Sequence, residues 1–357
     1  KTKTINLLFI LDSRCFFFVK KSPINLMTLA IIAIIIGFAG LIWSADRFVS
    51  GAAGIARNLG MAPMMIGLTI VALGTSAPEI VVAIEASLLN HSQLAVGNAI
   101  GSNLANIGLV LGITALVSPI PISSSIIVRE LPLLLFATMG ALLFLSDNYL
   151  GVIDGIVFLL TLSGILYYLI NNKSHQPNVE DEADAELIPD IPMIKGWLLF
   201  FLGLAVLIIS ARILVWGAKD IALAMGVSDL VVGLTVVAVG TSLPELAATV
   251  ASAIKGHHDI ALGNIIGSNL FNLLAVMAMP ALINPSALEP EVFSRDYLSM
   301  AAITLFLASI LYFHRLRAGA GKRIYDSTAP RKMGRIGRVE GALLLLSYVA
   351  YYYILFP

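Results

Sequence analysis

The sequence predicts an all-α polytopic membrane protein, with ten transmembrane helices arranged as two inverted five-helix repeats. Three observations carry this expectation. The 357 residues are 58% hydrophobic and 12% charged, with a mean hydropathy of +0.92, whereas a soluble domain carries about 25% charged residues. The apolar residues gather into runs near the roughly 20 residues that one membrane crossing needs. Two polar motifs recur at one fixed offset along the chain.

The runs lie at 27–46, 61–89, 94–117, 131–146, 151–171, 194–218, 226–254, 259–283, 296–314 and 340–356. Those at 61–89 and 226–254 exceed one perpendicular crossing, so they are expected to tilt or break. Residues 1–26 read as an N-terminal extension outside the fold, because Met27 directly precedes the first clean apolar run. Residues 27–171 form the first repeat and 194–357 the second. Between them, 172–193 is an acidic linker containing "VEDEADAELIPDIP" at 179–192, without the glycine and spacing of an EF-hand loop. Cys15 is the only cysteine, which excludes an internal disulfide.

The duplication is explicit. "GLTIVALGTSAPE" at 67–79 matches "GLTVVAVGTSLPE" at 233–245, and "GNAIGSNLAN" at 97–106 matches "GNIIGSNLFN" at 263–272. Both pairs are 166 residues apart (67 to 233, 97 to 263), as are "SADRFVSGA" at 44–52 and "SARILVWGA" at 210–218. With five segments in each copy, the second must enter the membrane from the opposite side. That is the inverted-repeat plan of many secondary transporters, whose sites lie near the midplane where interrupted helices meet. If the loop before 61–89 is cytoplasmic, nearly all Lys and Arg beyond residue 26 fall inside, the exceptions being Arg212, Lys219 and Arg295. The positive-inside rule favours that orientation, in a plasma (inner) membrane. The core termini then face outward, and the 172–193 and 314–338 loops are cytoplasmic.

The repeated motifs carry oxygen chemistry. A carboxylate at membrane depth costs several kcal/mol and marks a functional site by default, and Glu79 and Glu245 are two, brought together by the inversion. Facing carboxylates repel unless a cation or proton lies between them. Hard oxygen ligands suit sodium or calcium rather than soft metals. Thr75 lies one turn from Glu79, on the same helix face, and Pro78 removes a donor opposite the Gly74 carbonyl. The helix is therefore expected to open near Gly74 and Pro78, and likewise at Thr241, Pro244 and Glu245. In the second motif, Asn98, Ser102 and Asn106 share a face, as do Asn264, Ser268 and Asn272. Ser102, Asn106, Ser268 and Asn272 read as ligands. Asn98, Asn264, Asn103 and Asn269 are divided between cavity lining and helix glue, and the GxxxG glycines 97/101 and 263/267 read as packing.

Other candidates are weaker. Glu85 belongs at an outer mouth. Asp154 and Glu340 each sit where a last helix of a repeat begins and suit its N-terminal dipole. His91, His257 and His258 show no ligand spacing. Neither an HExxH motif nor a nucleophile–base spacing is present, so no enzyme and no cofactor is expected. The expected partners are inorganic cations and the lipid bilayer, with no nucleic acid and no obligate protein partner.

These paired "GTSxPE" and "GNxxGSNxxN" segments resemble the two alpha repeats of the sodium/calcium exchanger family, within the calcium/cation antiporter superfamily. The resemblance extends over nearly all the chain from residue 27. It implies exchange of calcium for sodium at one central set of sites. By motif it implies a calcium site between Glu79 and Glu245. It also implies sodium sites using Thr75, Ser76, Thr241, Ser242, Ser102 and Ser268 with the backbone carbonyls of Ala72 and Ala238, and Asn106 and Asn272 completing the ring. Proton/calcium exchangers of the superfamily usually carry Asn at the Thr of "GTS", so the sodium branch fits better. Many sodium/calcium exchangers have Asp where this chain has Asn272, which leaves one fewer titratable group and puts potassium dependence in doubt. Two other readings stay open: protons in place of sodium, since buried carboxylates can titrate, and a passive cation channel, which can use the same ligands.

Overall fold

The computed structural model describes residues 26–123, 126–171, 191–226, 238–320 and 334–355. Readings that fall on 1–25, on most of the acidic linker and on 227–237 lie outside those residues. The helices are α1 (Leu26–Leu59), α2 (Pro63–Leu88), α3 (Ser92–Val117), α4 (Ile126–Leu145), α5 (Val152–Asn171), α6 (Met193–Ala224), α7 (Leu243–Ile254), α8 (His258–Ile283), α9 (Val292–Arg317) and α10 (Arg338–Leu355). A single helical turn, Ala238–Thr241, precedes α7. Among the described residues, eight helices are long and apolar enough to cross a membrane, where the sequence predicts ten. The remaining two are α7, which has 12 residues and follows the segment outside the description, and α10, which has 18. Ile35, Phe38 and Ile42 of α1, Phe201 of α6 and Leu160 of α5 face outward. So much outward apolar surface requires lipid as the solvent.

Two helices are longer than their apolar runs suggest. α1 has 34 residues and α6 has 32, or roughly 50 Å each at 1.5 Å per residue. The run at 27–46 was bounded by the polar pair Asp46–Arg47, but the helix continues because Phe48, Val49, Ala52, Ile55 and Ala56 keep one face buried. α1 and α6 are antiparallel neighbours in close contact. A Cβ on Gly51 would meet Phe200 N at 2.4 Å, one on Gly203 would meet Phe48 N at 2.5 Å, and one on Gly217 would meet Ala30 O at 2.6 Å. Small residues therefore set this seam.

A second seam joins α2 and α8, which run parallel. Gly263 abuts the Met64 carbonyl and Leu68 N, and Gly267 abuts the Leu68 carbonyl and the Ala72 side chain. The packing role expected of these glycines is met here. A Cβ on Gly97 or Gly101 would meet nothing within 4 Å among the described residues, and the segment matching Gly67–Leu68, at 233–234, lies outside them.

The two copies of the first motif are built differently. The expected opening at Gly74 and Pro78 does not occur. α2 stays α-helical from Ala72 to Leu88 with Pro78 inside it, and its irregular part is a π-helical turn at Gly67–Val71. Pro78 removes one helical hydrogen bond, and the buried neighbours around it keep the rest of the helix in place. In the second copy the helix does break. Ser242 leaves the helical region with φ −87° and ψ 4°, and Pro244 stands in the first turn of α7, where its missing N–H costs nothing.

Two short antiparallel pairs link distant segments. β1 (Ile120–Pro121) pairs with β4 (Arg335–Ile336), and β2 (Tyr149–Leu150) pairs with β3 (Ser286–Ala287). Each is extended by one further bond, Ile122 N to Gly334 O at 3.0 Å and Leu288 N to Asn148 O at 2.8 Å. Behind these pairs, Asp154 accepts from Gly151 N at 2.7 Å and Glu340 from Gly337 N at 3.0 Å. Both acids thus serve the helix starts expected of them.

Candidate functional site

The motif residues meet where α2, α7 and α8 pack together. Glu79 projects from the middle of α2 and is 0% exposed; Glu245 stands in the first turn of α7 and is 2% exposed. Their settings differ, because a helix N-terminus favours an anion and only Glu245 has one. Ser76 donates to Glu245 Oε1 at 3.4 Å. The Thr75 hydroxyl lies 3.3 Å from the Ala72 carbonyl, 3.2 Å from Asn264 Oδ1 and 3.4 Å from Ser268 Oγ. Asn264 in turn donates to Thr249 Oγ1 at 3.0 Å. Thr75 with Asn264 and Ser268, and Ser76 with Glu245, are therefore in direct contact across the repeats, while the Ala72 carbonyl meets Thr75 within one.

The other predicted residues lie on these helices, on the turn before α7 and on α3. Asn106 and Asn272 are buried, and each begins a π-helical turn, Asn106–Leu111 and Asn272–Val276. Such turns recur at functional sites. Ser102 and Ser242 are buried as well, and Ala238 opens the short turn before α7. Thr241 is only half-buried and borders a cleft on the flank of the bundle. It differs in this from its buried repeat partner Thr75.

The buried oxygens are unusually short of partners. Both carboxylate oxygens of Glu79, Oε2 of Glu245, the side-chain oxygens of Asn106 and Asn272 and the hydroxyl of Ser242 have no hydrogen bond among the described residues. Leaving one such group unpaired costs about 1–3 kcal/mol, and more if it is charged. Oxygen ligands of this kind suit a hard cation. No third His, Cys, Asp or Glu gathers with the two glutamates among the described residues.

A profile of the family described as "Sodium/calcium exchanger protein" matches residues 29–171 and 195–356. The chain belongs to the sodium/calcium exchanger family. It is 45% identical to "Putative antiporter CaxA" of Alkalimonas amylolytica over 333 residues, covering 92% of this chain and 99% of that one. It is 30% identical to "Sodium/calcium exchanger MaX1" of Methanosarcina acetivorans over 93% of this chain and 99% of that one. Among solved structures, the sodium-calcium exchanger NCX_Mj soaked with zero Na+ and Ca2+ superposes with a TM-score of 0.75 at 30% identity, covering 91% of this chain and 98% of that one. The family is one of membrane ion transport, consistent with a multi-pass chain built of apolar helices.

Within this exchanger-family fold the sequence reading missed several buried polar residues. Thr249 and Ser252 are buried on α7. Asn103, which the sequence divides between cavity lining and helix glue, donates to the Met300 sulfur of α9 at 3.4 Å. Glu130, 1% exposed, is a third buried carboxylate. A signal for it existed. Arg129–Glu130 and Arg295–Asp296 obey the same 166-residue offset, and both stand in π-helical turns, Ile126–Glu130 and Val292–Tyr297.

Proposed function

We propose that this chain is a secondary active antiporter that exchanges Ca2+ for Na+ by alternating access at a midplane site. In this reading it has ten spans in two inverted halves, 27–171 and 194–357, in the plasma membrane. The core termini lie outside, and the 172–193 and 314–338 loops are cytoplasmic. One observation carries the proposal: two buried carboxylates, one from each repeat copy, of whose four oxygens three have no hydrogen bond among the described residues. A buried charge without a counter-charge is strongly destabilising, so the site needs a bound cation to be stable. Calcium would sit between Glu79 and Glu245. Sodium would use Thr75, Ser76, Ser102, Thr241, Ser242 and Ser268 with the Ala72 and Ala238 carbonyls, and Asn106 and Asn272 would close the ring. The antiparallel course of α1 and α6 and the swapped strand pairs support the inverted plan.

The mechanism follows from charge. With cations bound, the two carboxylates are screened and the site can be occluded. Empty, they repel, and the occluded form becomes the costly one. A carrier so built changes sides loaded far more readily than empty, which enforces exchange. Calcium uptake into proteoliposomes, with sodium and pH gradients imposed separately, tests the reading. Uptake is expected to follow the sodium gradient and to vanish in Glu79→Gln and in Glu245→Gln. Uptake driven by the pH gradient without sodium would replace sodium by protons, and unchanged flux in both variants would refute the site.

A further inference from the structure

A cleft of about 270 Å³ opens on the flank of the bundle, where α6 passes both proline-bearing motifs. Pro78 and Val82 of α2, Val215 of α6 and Pro244 of α7 form its apolar walls. Glu79 and Glu245 follow the two prolines directly in the chain and are buried behind them. The rim is different in character. Arg212 lines the cleft, is exposed, and makes no hydrogen bond or ion pair among the described residues. Trp216, one turn further along α6, lines it too.

The depth of this rim follows from α6 itself. Lys195 opens the helix and Arg212 lies 17 residues on (212 − 195), roughly 26 Å along the axis at 1.5 Å per residue. The hydrocarbon layer is about 30 Å thick. With Lys195 at one interface, Arg212 reaches the headgroup region of the other, where Trp is also favoured. The repeat counterpart of Arg212 is Asp46, and the counterpart of Trp216 is Ser50. Those two are closed off by Lys255, whose amine meets Asp46 Oδ1 at 2.7 Å and Ser50 Oγ at 2.6 Å. The duplicated framework is thus tied shut by a cation on one face and, among the described residues, left with an unpaired cation over an apolar cleft on the other.

We propose that this cleft holds one anionic phospholipid, its phosphate on Arg212 and an acyl chain along Val215, Val82 and the two prolines. A zwitterionic lipid could fill the apolar part equally well, and the guanidinium selects the net negative headgroup. The acyl chain would stand beside Thr241 and the ion site. Binding does not depend on which ions are exchanged, so it is read without transport.

Trp216 is the reporter. The chain has three tryptophans, so Trp43→Phe and Trp197→Phe leave Trp216 alone. The full chain is reconstituted in phosphatidylcholine vesicles and titrated with brominated phosphatidylglycerol or brominated phosphatidylcholine. Brominated phosphatidylglycerol should quench Trp216 at a several-fold lower mole fraction. Arg212→Gln should make the two lipids equivalent, and Arg212→Lys should restore most of the preference. Equal quenching by both lipids in the Arg212 protein, or an unchanged preference in Arg212→Gln, would overturn the proposal. So would loss of the preference on adding millimolar inorganic phosphate, which would mean that Arg212 takes a free anion.

Discussion

Gly267 offers a quantitative test of how packing sets the site. A Cβ there would stand 2.4 Å from the Leu68 carbonyl oxygen and 2.7 Å from the Ala72 Cβ. Ordinary contact begins near 3.4 Å, so Gly267→Ala must move α8 from α2 by about 1 Å (3.4 − 2.4). The rearrangement costs about 1–3 kcal/mol for an overpacked core, against which a Gly-to-Ala change within a helix returns up to ~1 kcal/mol of propensity. The same shift stretches the contacts of Thr75 with Asn264 and Ser268, now 3.2 and 3.4 Å, beyond hydrogen-bond range. Gly164→Ala is the control, because Gly164 is exposed and a Cβ there meets nothing within 4 Å among the described residues. Thermal unfolding in detergent and calcium flux in proteoliposomes read the two consequences. Gly267→Ala should be less stable and slower, with Gly164→Ala as stable as the parent or more so. Equal stability and flux in Gly267→Ala would refute the claim that the α2–α8 seam positions the hydroxyls.

Ser76→Ala removes a donor to a carboxylate, worth about 1.5 kcal/mol at the weak end for charged acceptors given its 3.4 Å length; the calcium concentration for half-maximal flux should rise about tenfold. Lys255→Met breaks an ion pair whose side chains are 25% and 46% exposed, so the loss of stability should stay below about 1 kcal/mol and shrink in high salt, as thermal unfolding at two ionic strengths would show. Asn272→Asp adds a third buried carboxylate to the proposed ion site; the apo protein should melt lower and gain a larger calcium-dependent rise in melting temperature than the parent. An unchanged calcium response would separate Asn272 from that site.

Much of this structure is legible in the sequence because the duplication encodes local chemistry. The left-handed positions that end helices come in matched pairs, Gly60 with Gly226 and Asn90 with Gly256, each 166 residues apart and each a residue type that tolerates positive φ. The glutamates and their hydroxyl partners were legible because polar groups stand out in an apolar run. What escaped the sequence depends on neighbours. The continuity of α2 through Pro78 and the break at Ser242 arise from the same six-residue pattern, so local rules cannot separate them. The reach of α1 past Asp46 depends on α6 covering its far half. Glu130 stands just before an apolar run, and its burial comes from the segments packed around it.

The swapped strand pairs carry a consequence for assembly. β1 leaves the ribosome long before β4 exists, and β2 waits for β3 in the same way, so the first half reaches the bilayer with open hydrogen-bonding edges on either side of α4. Unpaired edges invite foreign partners, and contacts so distant in sequence are slow to form. The newborn first half therefore depends on the arrival of the second to become inert. Two independently synthesised halves should recognise each other through the same edges and reassemble. Conversely, an overcrowded membrane could pair the first half of one chain with the second half of another, giving an exchanged dimer from an unaltered sequence.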